Sequence, residues 1–448
     1  MPAPIGRQAV VVGAGIGGLT AARALADHFE HVLVLERDPL PERAENRPGV
    51  PQGKHVHALL AGGQQALCDL FPGFEQDLIR MGAVPIRAGL DVRMERPGYD
   101  PFPQRDLGFD AHAQSRAQLE LAVRRRVQAH PRIEVRSPCR VHELVADANG
   151  AAVTAARCTT TGGKNETIGA DLIVDASGRG APTLGLLEAT GRPLPAETTI
   201  GVDVTYATAV FAIPDDAPTD WKGVFCFPRP PSTRGSLLLP MEGQRWIVTL
   251  AGRHGERPPG DMAGFIAYAR SLRTPTIYNA IKHARPLGEI SRYGFPESAH
   301  RHYRRLDAFP RGLLPLGDAV CRFNPVYGQG MSVAAQEACS LRGFLTARAS
   351  ERDPLDALAA AFLAETDALI ETPWAQAAIP DFIHPDTRGE RPANLEQTLR
   401  FGLALTKLMA CDPAVHRLAA EVQNLLKPRS VYFEPELMQR VMAVMAEG

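Results

Sequence analysis

The stretch near residue 10 constrains the fold more than any other part of the chain. An apolar run over Ala9–Val12 leads into glycines, and a helical run over Thr20–Leu25 follows. In this Gly-x-Gly-x-x-Gly pattern, Gly13 permits a tight turn, Gly15 lets a pyrophosphate approach the backbone, and Gly18 lets the helix pack closely on the strand. The spacing predicts a dinucleotide-binding strand–turn–helix unit, against the alternative of a tight turn that holds no ligand.

A second apolar strand follows this helix and leads directly into Glu36. Glu36 lies 18 residues past Gly18, where a carboxylate can accept a hydrogen bond from a ribose 2′-OH. Ile16 and Gly17 supply the first helical N–H groups, which favour an anion at the helix N-terminus. We include Arg37 in the same predicted cofactor-binding set.

Length, charge and cysteine content limit the class of protein. A chain of 448 residues is too long for one core, so two or three domains are expected. The net charge of −1 gives no support for nucleic-acid binding. The seven cysteines are scattered, which fits a reducing cytoplasm and argues against a zinc site or a disulfide framework. No apolar run reaches the roughly 18 residues of a membrane span, and no signal peptide is expected.

The chain also contains an organised middle region and a helical tail. Alternating apolar and polar runs between about 191 and 300, separated by Pro- and Gly-rich turns, predict a mainly antiparallel sheet. Its aromatic and leucine side chains could line a lipophilic cleft, although ordinary core packing is the alternative; they are Trp221, Phe225, Phe227, Leu237, Leu238, Leu239 and Trp246. The pattern of the tail after 354 predicts amphipathic helix, broken at Pro373, Pro380, Pro385 and Pro428.

Three remote motifs together indicate a family. The glycine turn near residue 15, the turn Asp175–Gly178 after a buried strand, and the pair Gly317–Asp318 occur in that order. The chain resembles the flavoprotein monooxygenases of the para-hydroxybenzoate hydroxylase fold over about residues 7–345. More narrowly, Gly49–His57 and Asp318–Ser332 resemble the FAD-dependent epoxidases of polyether-antibiotic pathways, of the lasalocid and monensin type. Squalene epoxidase is a more distant relative.

The resemblance implies an α/β fold with a Rossmann-like FAD-binding domain of the para-hydroxybenzoate hydroxylase and glutathione reductase type. An inserted, mainly antiparallel β-sheet substrate domain and a helical C-terminal region complete it. We expect the FAD-binding domain to comprise residues 1–82, 113–190 and 301–345. The substrate domain would then comprise residues 83–112 and 191–300, and the C-terminal region residues 346–448.

The resemblance assigns a role to each matching residue. It implies that the glycine turn holds the FAD pyrophosphate, that Glu36 holds the adenosine ribose and that Asp318 bonds the ribityl chain. Arg47 and Arg116 match positions where the family places cations, although a solvated loop arginine explains Arg47 equally on spacing alone. Asp175 closes a motif that serves FAD and, in some members, a passing NADPH. The cofactor-binding set is Gly13, Gly15, Ile16, Gly17, Gly18, Glu36, Arg37, Arg47, Arg116, Asp175, Gly317, Asp318, Pro325, Gly328, Gly330 and Met331.

The segment after Asp318 agrees with this assignment on physical grounds. A helix that starts near Gly328 would direct free N–H groups at the negative edge of a reduced flavin, and Gly328 and Gly330 let the backbone come close. A helix N-terminus favours an anion by about 0.3–1 kcal/mol when exposed and by up to ~2 kcal/mol when partly buried.

The resemblance also implies the reaction. Reduced FAD combines with O₂ to a C4a-hydroperoxide, whose distal oxygen passes to a lipophilic alkene or an electron-rich ring, in secondary metabolism. Electrons come from NADPH or NADH, directly or through a separate flavin reductase. We place His57, Pro325 and Tyr327 at the flavin front as catalytic candidates. His57 has an ordinary pKa suited to moving protons near neutral pH, although a packed histidine is the alternative. His55 and His57 have no third ligand nearby in the sequence, so we predict no metal site at these two histidines.

Two further functions stay open. A flavin-dependent reductase of prenyl double bonds would keep the fold but need no O₂ in turnover, and a non-catalytic flavin-binding protein would have no turnover. A flavin halogenase is disfavoured, because Trp221, Trp246 and Trp374 are too far apart for the paired tryptophans of those enzymes.

Overall fold

A five-stranded parallel sheet forms the centre of the nucleotide-binding half. The computed structural model describes residues 4–228 and 230–447. In spatial order the strands of this sheet are β16 (Leu313–Pro315), β10 (Leu172–Asp175), β1 (Gly6–Val12), β2 (Phe29–Leu35) and β6 (Ile133–Arg136). Helix α1 (Ile16–Leu25) connects β1 to β2, as the glycine pattern predicts. The Rossmann-like α/β fold is therefore confirmed.

The two faces of β1 enter different cores, because successive side chains of a strand point to opposite sides. Ala9 and Val11 pack with α1, α4 (Arg116–Gln128) and α8 (Gly330–Arg348). Val10 and Val12 face the opposite layer. Burial on both sides explains why the strand is a continuous apolar run without alternation.

A three-stranded antiparallel sheet covers that opposite face. Its strands, in spatial order, are β7 (Cys139–Ala146), β8 (Val153–Thr160) and β9 (Asn165–Gly169). The pair Asn149-Gly150 between two alternating runs predicts a hairpin turn, and the chain does reverse between β7 and β8 near Gly150, whose φ is +66°. Helix α5 (Ala181–Ala189) follows β10.

The middle region forms a seven-stranded sheet that is antiparallel apart from one pair. In spatial order its strands are β17 (Cys321–Arg322), β15 (Ser291–Arg301), β11 (Glu197–Ala212), β14 (Arg245–Gly252), β13 (Gly235–Met241), β12 (Gly223–Cys226) and β4 (Val92–Glu95). Only β4 and β12 run parallel. A two-stranded ribbon, β3 (Val84–Arg87) with β5 (Asp110–Ala113), lies apart from this sheet.

One face of this sheet is covered by two helices, and the other, here called the available face, packs partly on residues 374–395 and lines the candidate cavity. Helices α6 (Met262–Arg270) and α7 (Thr276–Ile281) pack on the first face, where Trp221 and Trp246 stack with ring centroids 5.9 Å apart. These two tryptophans lie outside the candidate cavity described below, but they line a second, largely apolar cavity with Ile213, Pro218 and Met241, so their place in a lipophilic cleft stays a prediction. The available face carries Leu237 and Thr249.

The remaining helices lie in residues 61–80 and in the tail. They are α2 (Ala61–Leu70), α3 (Phe74–Arg80), α9 (Leu358–Asp381), α10 (Leu395–Cys411), α11 (Pro413–Gln423) and α12 (Pro435–Ala446). The predicted break at Pro373 is wrong, because α9 continues through it. A proline inside a helix removes one hydrogen bond, and burial of its neighbours Ile370 and Trp374 against the core favours the continuous helix.

The strand pairing bears on the expected domains but does not test their limits. The parallel sheet draws its strands from segments expected in the FAD-binding domain. The seven-stranded sheet draws mainly on residues 83–112 and 191–300, with β17 added from the segment after 300. The domain limits stay a proposal. Across residues 4–228 and 230–447, no helix combines the length and apolar character needed to cross a membrane.

Candidate active site

Two glycines of the turn after β1 lie in close contact with backbone atoms of the protein, and the third faces free space. Gly13 has φ +101°, and a Cβ there would lie 2.6 Å from the carbonyl oxygen of Ala176. A Cβ on Gly18 would lie 1.9 Å from the carbonyl oxygen of Gly13. A Cβ on Gly15 would meet nothing within 4 Å. The free space in front of Gly15 fits the approach of a pyrophosphate.

Helix α1 begins at this turn with its N–H groups available. Gly15 is its N-cap, and no side chain of the described residues caps the helix there. Ile16 is therefore the first helical residue. Gly17 lies close to the third motif, since a Cβ on it would lie 3.2 Å from Leu316 Cδ2. Free N–H groups at a helix N-terminus favour an anionic ligand.

Glu36 stands at the end of β2 inside a buried charge cluster. Its carboxylate accepts hydrogen bonds from the backbone N–H groups of Ala14 (2.7 Å) and Asp38 (2.9 Å). Arg47 Nη1 lies 3.1 Å from the same carboxylate. Glu36 thus holds the glycine turn, and the ribose contact stays a prediction. The side chain of Arg37 is exposed.

Arg47 is not a solvated loop residue. Its guanidinium donates to Glu120 (2.7 Å), Asp38 (3.0 Å) and the carbonyl oxygen of Ala14 (3.1 Å). Burial would lower the pKa of Arg47, but Glu120, Glu36 and Asp38 raise it above its ordinary value. These partners occupy Arg47, so it stabilises the loop around the cofactor site.

Arg116 is as buried as Arg47, and it also lies near enough to Asp318 for that carboxylate to oppose the lowering of its pKa by burial. Ser115, with Gln118 three residues later, predicts a helix N-cap. Arg116 does open α4, and Ser115 Oγ caps it by accepting from Gln118 N at 3.2 Å. Arg116 Nη1 lies 3.0 Å from Glu120 Oε2. Burial lowers the pKa of Arg116, and Glu120 opposes that shift. Among the predicted cations, Arg116 is the better placed to face an anionic cofactor.

The second motif contacts the first through the turn after β10. Asp175 has no exposed surface, and its carboxylate accepts from the Thr183 hydroxyl (2.6 Å), Thr183 N (3.0 Å) and Ser177 N (3.1 Å). These bonds fix the turn that contains Ala176. The carbonyl oxygen of Ala176 lies against Gly13 and leaves no room for a Cβ there. We therefore retain Asp175 in the cofactor site only as a residue that positions this turn.

The third motif contacts the second. Leu316 N donates to the carbonyl oxygen of Asp175 at 3.0 Å, and a Cβ on Gly180 would lie 3.3 Å from Ala319. Gly317 has φ +65° and donates its N–H to Glu337 at 2.7 Å. The three remote motifs therefore meet at the same edge of the parallel sheet.

Two acidic side chains lie close to this junction. Asp318 receives no hydrogen bond from the described residues; burial raises its pKa to about 6, opposed by the positive charges of Arg322 and Arg116. Glu337, on α8, is fully buried, and burial raises its pKa to about 8. Asp318 is thus free to bond a hydroxylated ligand, as the ribityl assignment needs. Sequence reasoning missed Glu337.

The loop before α8 faces the segment that carries the two histidines. Asn324 Oδ1 accepts from Val326 N at 3.2 Å, and a 3-10 turn covers Pro325–Tyr327. Gly328 has φ +67°, and a Cβ there would lie 3.4 Å from the carbonyl oxygen of Ala58. Helix α8 begins at Gly330, two residues after the expected start, and no side chain of the described residues caps it. Met331 packs on the core.

A cavity lies between this loop and the available face of the seven-stranded sheet. It is narrow: the space open to the centre of a water molecule is about 30 Å³, and the space between all the lining atoms, about 370 Å³, includes open solvent. Its lining is largely aromatic and apolar: Gln52, His55, Val56, His57, Tyr206, Leu237, Thr249, Tyr293, Pro325 and Val326. Two of the three catalytic candidates, His57 and Pro325, are therefore brought together, and Tyr327 is not among the lining residues.

His57 differs from the expectation in its protonation. Its Nδ1 donates to the carbonyl oxygen of His55 at 2.9 Å, so Nε2 carries the lone pair in the neutral ring. Burial lowers the pKa of His57 to about 4, with Arg116 adding to the shift. The expected pKa near neutrality is wrong, and His57 is a neutral hydrogen-bond acceptor at pH 7.

Among the sheet residues of the cavity, sequence reasoning named Leu237 and missed Tyr206, Thr249 and Tyr293. His55 Nδ1 lies 2.7 Å from Thr208 Oγ1, which lies 2.6 Å from Thr249 Oγ1. Tyr206 and Tyr293 stack, with centroids 6.4 Å apart and an interplanar angle of 5°. Thr208 lies opposite Thr249 and Tyr206 lies opposite Tyr293 on neighbouring strands, so only the register of the sheet brings these residues together.

Comparison with known proteins identifies the family. A model of the FAD binding domain family matches residues 88–360, and a model of the NAD(P)-binding Rossmann-like domain matches residues 11–61. The chain belongs to the FAD binding domain family. It is therefore a flavoprotein of FAD-dependent oxidoreductase type.

One relative is similar over most of its length. Protein Rv3254 of Mycobacterium tuberculosis (strain ATCC 25618 / H37Rv) is 35% identical over 357 residues, which cover 77% of this chain and 74% of the relative. Its name states no activity.

Solved structures share the fold at low identity. The flavin-dependent brominase Bmp2 has a TM-score of 0.71 at 14% identity, covering 99% of this chain and 98% of its own. A flavoprotein/dehydrogenase from Cytophaga hutchinsonii has a TM-score of 0.67 at 14% identity, covering 99% and 100%. PqsL of Pseudomonas aeruginosa, a probable FAD-dependent monooxygenase, has a TM-score of 0.60 at 17% identity, covering 83% and 96%. The fold is thus shared with flavin-dependent monooxygenases and halogenases.

Proposed function

We propose that this flavoprotein is a monooxygenase that inserts one oxygen atom from O₂ into a lipophilic small molecule. The favoured reaction is epoxidation of an isolated alkene, in line with the resemblance to the polyether-pathway epoxidases; hydroxylation of an electron-rich ring is the alternative. The observation that carries the proposal is the cavity between His57, Pro325 and the sheet. Its walls are largely apolar, and it adjoins the residues assigned to the flavin.

The residues present fit FAD. Gly15 leaves open space before an uncapped helix N-terminus, and Asp318 has no hydrogen-bond partner among the described residues. We assign the pyrophosphate to the turn from Gly13 to Gly18 and the ribityl chain to Asp318. When bound and reduced, FAD supplies the activation of O₂.

The residues of the chain supply position and a dry environment. The uncapped N-terminus of α8, at Gly330 and Met331, favours negative charge on a group that approaches it. Leu237, Val326 and Tyr293 give the cavity apolar walls, and a lipophilic substrate that fills its opening would exclude water from the reacting atoms. His57 is neutral and offers Nε2 as an acceptor. This reaction requires no side-chain nucleophile from the described residues that line the cavity.

The electrons come from a reduced nicotinamide cofactor in this proposal. The Rossmann-like match is compatible with a dinucleotide cofactor, and NADPH or NADH would reduce the flavin either by transient binding or through a separate flavin reductase. Oxidation of NADPH by the purified protein alone, with FAD and substrate, would support direct reduction. A requirement for added reductase would support the second route.

Incubation of the purified protein with FAD, a reductant and labelled O₂ tests the proposed reaction. We expect mass spectrometry to find a single labelled oxygen atom in products from a panel of lipophilic alkenes and electron-rich aromatics. Saturation of the double bond without O₂ would instead support a prenyl reductase. Halogenated product after addition of bromide would support a halogenase. Bound FAD with no turnover of any panel member would support a non-catalytic protein.

A further inference from the structure

A buried carboxylate at the end of α9 joins three parts of the molecule. Asp381 has no exposed surface. Its Oδ1 accepts from Tyr327 Oη at 2.8 Å and from Arg253 Nη1 at 2.5 Å, and Asn324 Nδ2 lies 3.0 Å and 3.1 Å from its two oxygens. One side chain of the C-terminal region thus binds the sheet through Arg253 and the loop before α8 through two residues.

The two loop partners of Asp381 flank the cavity residues. Asn324 and Tyr327 stand on either side of Pro325 and Val326, which line the cavity. Asn324 also holds Val326 N through its Oδ1. With both its first and last residues bonded to Asp381, the turn cannot move toward or away from the cavity without breaking buried hydrogen bonds.

The chemistry of the cluster makes its geometry costly to change. Arg253 is 6% exposed, so its charge depends on Asp381 for compensation, and leaving either charge unpaired inside the protein is strongly unfavourable. Burial raises the pKa of Tyr327 well above its usual value, and Asp381 adds to that shift, so the phenol stays protonated and donates. Thr387 Oγ1 donates to the carbonyl oxygen of Asp381 at 2.7 Å and fixes the end of the helix.

We propose that Asp381 is a positioning residue for the flavin site: it sets the place of the Asn324–Gly330 loop, and through it the helix N-terminus of α8, relative to the cavity. The inference rests on the proposed function, because that function assigns this loop to the flavin front. It also gives the C-terminal region a role that its sequence does not indicate.

The first test measures the loop without any cofactor. Asp381→Asn keeps the shape of the side chain but removes the charge that pairs with Arg253. We expect hydrogen–deuterium exchange of the full chain to rise at least threefold for amides in residues 324–330. The matched control is Asp367→Asn on the same helix, whose carboxylate lies 3.4 Å from His300 Nε2; it should leave that segment unchanged. Equal exchange in Asp381→Asn and the wild type would overturn the proposal.

The second test measures the flavin itself. Tyr327→Phe removes one hydrogen bond and keeps the ring, so it also serves if Asp381→Asn does not fold. With FAD bound at wild-type affinity, we expect both variants to change the visible circular dichroism of the flavin and to make its midpoint potential more negative. Unchanged signals in both variants would overturn the positioning role, whereas failure of the wild type to bind FAD would overturn the proposed function while leaving the exchange test valid.

Discussion

At the scale of single residues, glycines that look equivalent in the sequence have different tasks. Gly13 and Gly18 are required by contacts within the chain, whereas Gly15 faces open space. The pattern predicts the turn, because its steric reasons are local. It does not distinguish a solvated Arg47 from a buried one, because Glu120, which pairs with it, lies 73 residues away. The protonation of His57 is hidden in the same way, because it depends on burial by remote segments.

Gly15→Val tests the open space directly. Gly15 has φ −74°, which any residue adopts, so the variant should fold with an unchanged melting temperature. We expect its Kd for FAD to rise at least tenfold, or about 1.4 kcal/mol, measured by flavin fluorescence. Gly18→Ala is the contrasting variant: its Cβ meets the Gly13 carbonyl, so it should lower the melting temperature. Wild-type FAD affinity in Gly15→Val would contradict the assignment of the pyrophosphate.

At the scale of elements, local patterns predict most of the nucleotide-binding half. The β1–α1–β2 unit, the Ser115-capped α4 and the hairpin near Gly150 are all confirmed, because strand runs, caps and turns depend on neighbouring residues. The continuation of α9 through Pro373 was not predictable, because packing of Ile370 and Trp374 against remote elements outweighs the hydrogen bond that the proline removes. Apart from Leu237, the sheet side of the cavity wall was not predictable either, since Tyr206 meets Tyr293 only through the register of β11 and β15.

Glu337→Gln tests the contact between α8 and the Gly317 turn. The folded-state pKa of Glu337 is raised to about 8 from an ordinary 4.5, so its contribution to stability is present below about pH 4.5 and is lost as pH rises through 8. A glutamine can still accept from Gly317 N and does not ionise. We expect the free energy of unfolding of the variant to exceed that of the wild type increasingly between pH 5 and 8, in urea titrations. If the difference in unfolding free energy between variant and wild type stays constant from pH 5 to 8, the raised pKa of buried Glu337 is contradicted.

At the scale of the whole molecule, buried histidines link the fold to pH. Five histidines have a pKa lowered to about 4, and burial is the largest cause of the shift in each. They are His55, His57, His300, His384 and His416. A histidine with a depressed folded pKa must bind a proton on unfolding between pH 4 and 6.5. The free energy of unfolding should therefore fall as pH falls through that window.

His416→Gln isolates one of these groups away from the cavity. His416 packs edge-on against Phe102 with centroids 5.1 Å apart. The variant should reduce the slope of unfolding free energy against pH by up to about 1.4 kcal/mol per pH unit between pH 4 and 6.5, measured by urea unfolding at several pH values. An unchanged slope would show that His416 does not protonate on unfolding in that window.

The whole molecule also explains why three remote motifs indicate the function together. Each motif ends a strand of the parallel sheet, and parallel strands place their carboxyl ends at one edge, where ligands of such folds bind. The contacts between Gly13 and Ala176 and between Leu316 and Asp175 close that edge. The substrate side depends on the second sheet and the C-terminal region, and it remains a proposal.

A crystal structure of the protein with FAD tests the central claim most directly. We predict the pyrophosphate beside Gly15 and the N-terminus of α1, the ribityl chain within hydrogen-bond distance of Asp318, and the flavin ring at the border of the cavity that contains His57 and Pro325. FAD bound elsewhere, or a Gly15–Asp318 crevice that stays empty at saturating FAD, would contradict that claim.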